Sequence, residues 1–169
     1  MNRKALQKLS YGVYLVTTAF DETLYGCVAN SAMQITSAPA QVAVSLNHDN
    51  QTCEAVEKSG MFLISVLSTQ ADPALIGGFG YRSGRDCDKF SAVPYTMREG
   101  MPVPDAALGW IACRVVKQMD AGTHTIFLGE VLDCDLLQPD AIPMTYAYYH
   151  TVIKGASPKN APTYLPPES

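Results

Sequence analysis

The sequence predicts a mainly β domain, a closed or nearly closed barrel that carries only short helices. Six or seven segments rich in Val, Ile, Thr and aromatic residues recur along the chain, separated by Gly, Pro, Asn, Asp and Ser. Between them the apolar spacing never sustains the helix of roughly ten or more residues that each crossover of a parallel sheet requires. That excludes a doubly wound dinucleotide-binding architecture before any motif is read. Bulk composition is the third observation: 169 residues, 47% hydrophobic and 17% charged, suit one soluble domain with a substantial core.

Residues 3–9 place Leu6 and Leu9 on the apolar side of a short amphipathic helix. YGVYLVTTAF, residues 11–20, is a strand by its β-branched and aromatic content. Asp-Glu-Thr then makes a polar hairpin turn into LYGCVA, residues 24–29. The stretch ANSAMQITS supplies the next strand, Ser37-Ala38-Pro39 breaks it, and QVAVSL follows at 41–46. In QTCEAVEKSG, residues 51–60, Thr52 is the expected cap of a short helix and Ser59-Gly60 its end. MFLISVL, residues 61–67, reads as a buried strand. Pro73 suits the first turn of a helix in DPALIGGF, which its glycines close quickly. GYRSGRDCDKF, residues 80–90, is a glycine-rich, charge-dense loop. GWIACRVVKQM and THTIFLGEVLDCDLL are long strands. The second alternates, with Ile126, Leu128 and Leu132 on one face and Thr125, Phe127 and Val131 on the other. From Lys154 onward four prolines mark a loose extension that wraps or links. The chain thus divides into a domain over 1–155 and a Pro-rich extension over 156–169.

Net charge is −4 with the signs interspersed, so no basic face marks a nucleic-acid or membrane partner. MNRKALQKLS lacks the apolar core of a signal peptide and no run reaches transmembrane length, which makes the cytoplasm the expected location. Five cysteines, Cys27, Cys53, Cys87, Cys113 and Cys134, show no C-x-x-C and no zinc-ligand spacing. Reduced, buried thiols and no metal site are the expectation.

GGFGYRSGR looks at first like a dinucleotide fingerprint, but counted from Gly78 and Gly80 the third glycine falls on Ser83. The Walker A spacing fails as well. What remains is a loop whose Arg82, Arg85 and Lys89 either meet an anionic ligand or are simply solvated. His124, where a turn enters a strand, is either structural or catalytic. It has no Ser/His/Asp order around it, and no carboxylate pair sits where its pKa would rise. The stretch from Ala29 to Thr52 is different. Asn30, Ser31, Gln34, Thr36 and Ser37, then NHDNQT, set short neutral hydrogen-bonding groups at the ends of two neighbouring strands. Ala29 and Ala32 are small enough for a flat ring to approach the backbone. Composition leaves a polar barrel rim and a ligand cradle equally open.

ANSAMQITSAP, VAVSLNHDNQT, SGMFLISVL, FGYRSGRDCDKF, AGTHTIFLGEV and YAYYH occur in this order, and together they resemble the flavin reductase-like family over roughly residues 3–155. The resemblance implies that family's FMN-binding split β-barrel, Greek-key-like, and a homodimer binding one noncovalent FMN per subunit near the dimer interface. By that likeness Asn30, Ser31, Ala32 and Met33 run along the isoalloxazine. Thr36, Ser45, Leu46, Asn47, Asn50 and Thr52 line the ribityl and phosphate part. Ser83, Gly84, Arg85 and Lys89 match the loop that closes over the flavin. His124 matches the histidine of the family's G-x-H motif, near flavin and reduced nicotinamide, and is the implied catalytic residue. The implied activity is an FMN-dependent oxidoreductase moving electrons from NADH or NADPH to a carrier protein or other acceptor. The alternative on the same barrel is a non-enzymatic flavin-binding or redox-sensing module. KGASPKNAPTY is similar to the linker before a rubredoxin domain in some members, but the C-x-x-C pairs of a rubredoxin are absent here. A separate rubredoxin-like carrier is therefore the implied partner.

Overall fold

Strands form where the β-branched and aromatic runs stand. In the computed structural model, which describes residues 2–159 and 161–164, β1 (Tyr14–Phe20) and β2 (Thr23–Ala29) make the first hairpin. Its turn holds Asp21 at φ 50° and Glu22 at φ 59°, the left-handed pair that a two-residue hairpin demands. β3 (Ala32–Ser37) and β4 (Ala40–Asn47) form the second hairpin, turning at the cis Ala38–Pro39 peptide. α1 (Gln51–Ser59) leads to β5 (Met61–Val66), and α2 (Pro73–Tyr81) follows. β6 (Tyr95–Arg98) and β7 (Met101–Pro104) pair as a small hairpin. β8 (Gly109–Asp120) and β9 (His124–Leu136) make the longest one, and α3 (Tyr146–Thr151) comes last.

Seven of these strands form one antiparallel sheet in the order β2-β1-β5-β8-β9-β4-β3. A single core draws Val16 from β1, Ala29 from β2, Phe62 and Ile64 from β5, Cys113 from β8, Phe127 from β9 and Val44 from β4. Strands near both ends of the order can share one core only if the sheet rolls up. The Ser45 amide donates to the Ser31 carbonyl at 3.0 Å, which carries the β3–β4 pairing one residue further, and among the described residues no ladder joins β2 to β3. The barrel is therefore split. α1 plugs it from one side, burying Cys53 and Val56 in the same core. At Gly129 on β9 an added Cβ would stand 2.5 Å from a Phe62 ring carbon and 2.6 Å from the Cys113 Cβ, so only glycine leaves both in place.

The structure departs from the sequence expectations at several points. The N-terminal turn is a 3-10 helix, Arg3–Lys8, and Leu6 and Leu9 are each 58% exposed, because so short a helix finds no apolar surface to cover. α1 has Asn50 at its N-cap, without a side-chain capping bond, while Thr52 lies buried inside the first turn. Its end is as expected: Gly60, at φ 68°, donates its amide to the Val56 carbonyl at 2.9 Å. α2 runs through its glycines to Tyr81, because Asp72 accepts the Ala74 amide at 2.8 Å and Leu75, Ile76 and Phe79 are buried. Prolines 94, 102 and 104 hid the β6–β7 hairpin, and the aromatic run after Thr145 hid α3. Among the described residues no helix is long and apolar enough to cross a membrane. Pro166 and Pro167 of the expected extension lie outside the described residues.

Candidate functional site

The antiparallel register brings the end of β4 beside the start of β9, pairing Asn47 with His124, and α1 begins just beyond. Two connected spaces open at this end of the barrel. The outer one is a cleft of about 1530 Å³ between the start of α1, the β1–β2 hairpin and the loop from Arg82 to Pro94. The inner one is lined by Cys27, Ala29, Asn30, Ser45, Leu46, Asn47, His124, Tyr146 and Tyr149, among others. Only about 60 Å³ of it admits the centre of a water molecule, so beside the cleft it is a narrow slot. Asn50, Gly80, Tyr81 and Pro158 line both spaces and join them.

Glu22, Asp49 and Asp88 line the cleft alongside Arg82, Lys89 and Lys159, and its wall at the start of α1 is the part suited to an anion. Gln51 and Thr52, in the first turn of α1, lie on its wall, where amides have no intrahelical partner and the helix dipole is positive. The 83–89 loop closes onto this turn: a Cβ at Gly84 would come within 2.7 Å of Gln51 Oε1 and 4.0 Å of Lys89 Cε. Lys89 Nζ donates to the carbonyls of Gly26 at 3.0 Å and Phe79 at 3.3 Å, which leaves one of its three N–H groups for the cleft. Among the described ion pairs it has no carboxylate partner. Burial lowers its pKa, with the Cys27 and Cys87 thiols opposing, as befits an ammonium short of counter-charge.

The slot is neutral by contrast. Burial lowers the His124 pKa from its ordinary 6.5, His48 adds to the effect and Asp49 opposes it, so the imidazole is uncharged at neutral pH. Its Nδ1 lies 2.8 Å from the Thr123 hydroxyl. Burial pushes the Cys27 thiol up to about 11 and Cys113 up to about 12, so neither is a thiolate nucleophile. Asn47 Oδ1 accepts the Asp49 amide at 2.8 Å, fixing the loop that leads into α1.

The sequence-predicted residues divide by place. Asn30, Ser45, Leu46, Asn47, Asn50 and His124 converge on the slot. Asn50, Thr52, Ser83, Gly84 and Lys89 converge on the cleft. Ser31, Ala32, Met33, Thr36 and Arg85 line neither space. Ser31 donates to Asn30 Oδ1 at 3.0 Å, at one remove from the slot. Met33 and Thr36 lie on the exposed edge strand β3, where Thr36 donates to the Pro39 carbonyl at 2.6 Å. Arg85 is exposed and near enough to Glu54 on α1 to contribute to that carboxylate's lowered pKa, behind the dominant hydrogen bond from Lys58.

Sequence reasoning missed the far wall. Ile76 and Phe79 of α2, Tyr81, and Tyr146 and Tyr149 of α3 stand there, together with Ala156, Pro158, Ala161 and Pro162. The density of aromatics in YAYYH was a readable signal. The Ala-Pro pairs of the tail were not, since nothing in their spacing tells a wall from a linker.

A family model described as "Flavin reductase like domain" matches residues 6–157. The chain is 44% identical over 166 residues to a high molecular weight rubredoxin of Moorella thermoacetica, covering 97% of this chain and 72% of that one. It is 43% identical over 167 residues, 98% of both chains, to a ferric-chelate reductase (NAD(P)H) of Archaeoglobus fulgidus. The NADH:FAD oxidoreductase SgcE6 of Streptomyces globisporus C-1027 shares the fold with a TM-score of 0.77 at 26% identity over 85% of each chain. The split β-barrel expected from the sequence is the fold the chain has.

Proposed function

The chain belongs to the flavin reductase-like family and is an oxidoreductase that moves electrons from NAD(P)H through a flavin; we propose that the flavin is FMN, held noncovalently across cleft and slot. One observation carries this reading. An anion-seeking cleft and a thin neutral slot meet through shared residues, in the order that a phosphate, a ribityl chain and a flat ring would need. The fit is chemical as well as spatial. A flat ring needs little depth, and the slot is narrow, with about 60 Å³ that admits the centre of a water molecule. Polar groups at the rim of a largely apolar space then orient the ring.

In this assignment Lys89, Ser83 and the first-turn amides of α1 hold the phosphate. Asn50 and Thr52 follow the ribityl chain, with Asn30, Ser45, Leu46, Asn47 and His124 around the ring. Bound flavin supplies the hydride and electron chemistry, and no protein nucleophile is required. His124, neutral and desolvated, offers a hydrogen bond without placing a positive charge beside the reacting groups, which makes it the residue assigned to catalysis. The buried Cys27 and Cys113 thiols stay protonated and out of the chemistry. Electrons leave to an iron-bearing acceptor, a rubredoxin-like carrier or a ferric chelate, the two kinds named for the Moorella and Archaeoglobus relatives.

A second copy of the chain covers the open edge of β3. Among the described residues that strand has no partner on its outer side, and it leaves Met33 65% exposed beside an exposed Ile35, an edge that an unguarded monomer would carry as a liability. Dimerisation is how Met33, Ala32 and Thr36 come to serve a flavin site from outside it. The cytoplasm, where the free thiols remain reduced, is the assigned compartment.

Anaerobic rapid mixing of the FMN-loaded protein with NADH and with NADPH tests the activity. Bleaching of the visible flavin band by at least one nucleotide, followed by recovery on adding oxidised rubredoxin or a ferric chelate, is the expected result. A flavin band that neither nucleotide bleaches would sink the assignment. Light scattering tests the dimer, and a monomer at micromolar concentration would refute it.

A further inference from the structure

The described residues after α3, up to Tyr164, turn back across the mouth of the slot, and hydrogen bonds fasten them there in an unbroken chain. Ser31 donates to Asn30 Oδ1 at 3.0 Å, and Asn30 Nδ2 donates to Thr163 Oγ1 at 3.0 Å. Thr163 donates to the Tyr146 hydroxyl at 3.1 Å, and that hydroxyl lies 2.6 Å from Ser157 Oγ. Ser157 is in turn 3.4 Å from His150 Nε2, while His150 Nδ1 is 2.7 Å from the Gly155 carbonyl. A carbonyl only accepts, so Nδ1 carries the proton and Nε2 accepts from Ser157. The Tyr146 hydroxyl, already accepting from Thr163, then donates to Ser157. Every donor in the chain has one acceptor. Tyr81 adds a further tie, its hydroxyl donating to the Ala156 carbonyl.

This arrangement changes the part Asn30 plays. Both polar atoms of its side chain are engaged, one by Ser31 and one by Thr163, and the residue is 6% exposed. The segment that it holds presents Ala156, Pro158, Ala161 and Pro162 to the slot, and Ser157, Pro158, Lys159 and Tyr164 to the cleft. We propose that this segment is the fourth wall of the flavin site, latched by Asn30, Thr163, Tyr146 and Ser157, and that the latch retains FMN as a resident cofactor. Asn30 and Thr163 are thereby positioning residues, which act on the flavin through the strap. A flat ring between the strand ends and a Pro-Ala wall leaves only when that wall lifts, so the strength of the latch sets the rate of release.

The inference rests on the proposed FMN site, and its test separates the two. Free FMN fluoresces and bound flavin is generally quenched, so diluting the loaded protein reports release directly. Thr163→Val keeps the shape of the side chain and removes both of its hydrogen bonds. It is expected to release FMN about tenfold faster, equivalent to about 1.4 kcal/mol. Thr163→Ser, which keeps the hydroxyl, is expected to release within about twofold of the unmodified chain. Adding Tyr146→Phe to Thr163→Val is expected to speed release by less than the product of the single effects, because both break the same chain. Release from Thr163→Val at the unmodified rate, or equal acceleration by Val and Ser, overturns the latch while leaving the FMN site standing. An unmodified chain that takes up no FMN overturns the site itself.

Discussion

Lys89→Met removes an ammonium that lines the cleft and has no carboxylate partner among the described ion pairs, and its effects on stability and on binding can be worked separately. Methionine keeps the apolar stem and loses the charged head, which stands 5.8 Å from the centre of the Phe79 ring. The head donates to two carbonyls, at 3.0 Å and 3.3 Å. Bonds from a charged donor contribute about 1.5–3 kcal/mol each, and partial exposure reduces that by roughly half, which leaves a loss of about 2 kcal/mol. For a chain of this length that lowers Tm by about 4–8 °C. Binding loses a charge-assisted hydrogen bond to the phosphate, roughly 2 kcal/mol, or about 30-fold in Kd for FMN. Fluorescence titration at 25 °C, well below either Tm, reads the second effect free of the first. Repeating it in rising salt should weaken the unmodified chain more steeply than the variant, since screening acts on the charge removed. An Lys89→Met protein that binds FMN within about twofold of the unmodified chain would refute the placement of the phosphate.

Two further outcomes follow from the fold and from the histidine. Gly129→Ala forces a methyl against Phe62 and the Cys113 Cβ, both fully buried, and is expected to cost about 1–3 kcal/mol in guanidinium unfolding; a loss under about 0.5 kcal/mol would show that the core yields there. The lowered pKa of His124 means that the unfolded chain takes up its proton first as pH falls, so its stabilising contribution is complete above about pH 6.5 and is lost as pH drops from there toward the folded value. Tm measured from pH 8 to pH 5 should therefore fall less steeply in His124→Asn than in the unmodified chain, and parallel curves would contradict that.

The barrel strands were legible because each is a run of β-branched and aromatic residues with a turn signal at either end. In β9 the predicted face of Thr125, Phe127 and Val131 is the one that turns inward, and Leu132 on the other face is exposed. What escaped the sequence was decided by packing. Nothing local distinguishes the glycines of α2 from helix breakers. The helix holds through its glycines because buried Leu75, Ile76 and Phe79 anchor it. Thr52 looked like a cap and is instead a buried group facing the cleft, one turn position inside the helix. The neutral donors of the 29–52 stretch were legible as chemistry, but their division between slot, cleft and outer edge depends on strand pairing that spacing alone does not reveal. The strap was least legible of all, since its hold rests on hydrogen bonds such as Asn30 to Thr163, which are 133 residues apart in the chain.

A crystal structure of the chain grown with FMN tests the central claim most directly. The phosphate should lie within hydrogen-bond distance of Lys89 Nζ and the first-turn amides of α1, with the ring between the ends of β2 and β4 and the 156–163 segment. A flavin bound elsewhere, or one whose phosphate sits away from Lys89 and α1, would contradict the account.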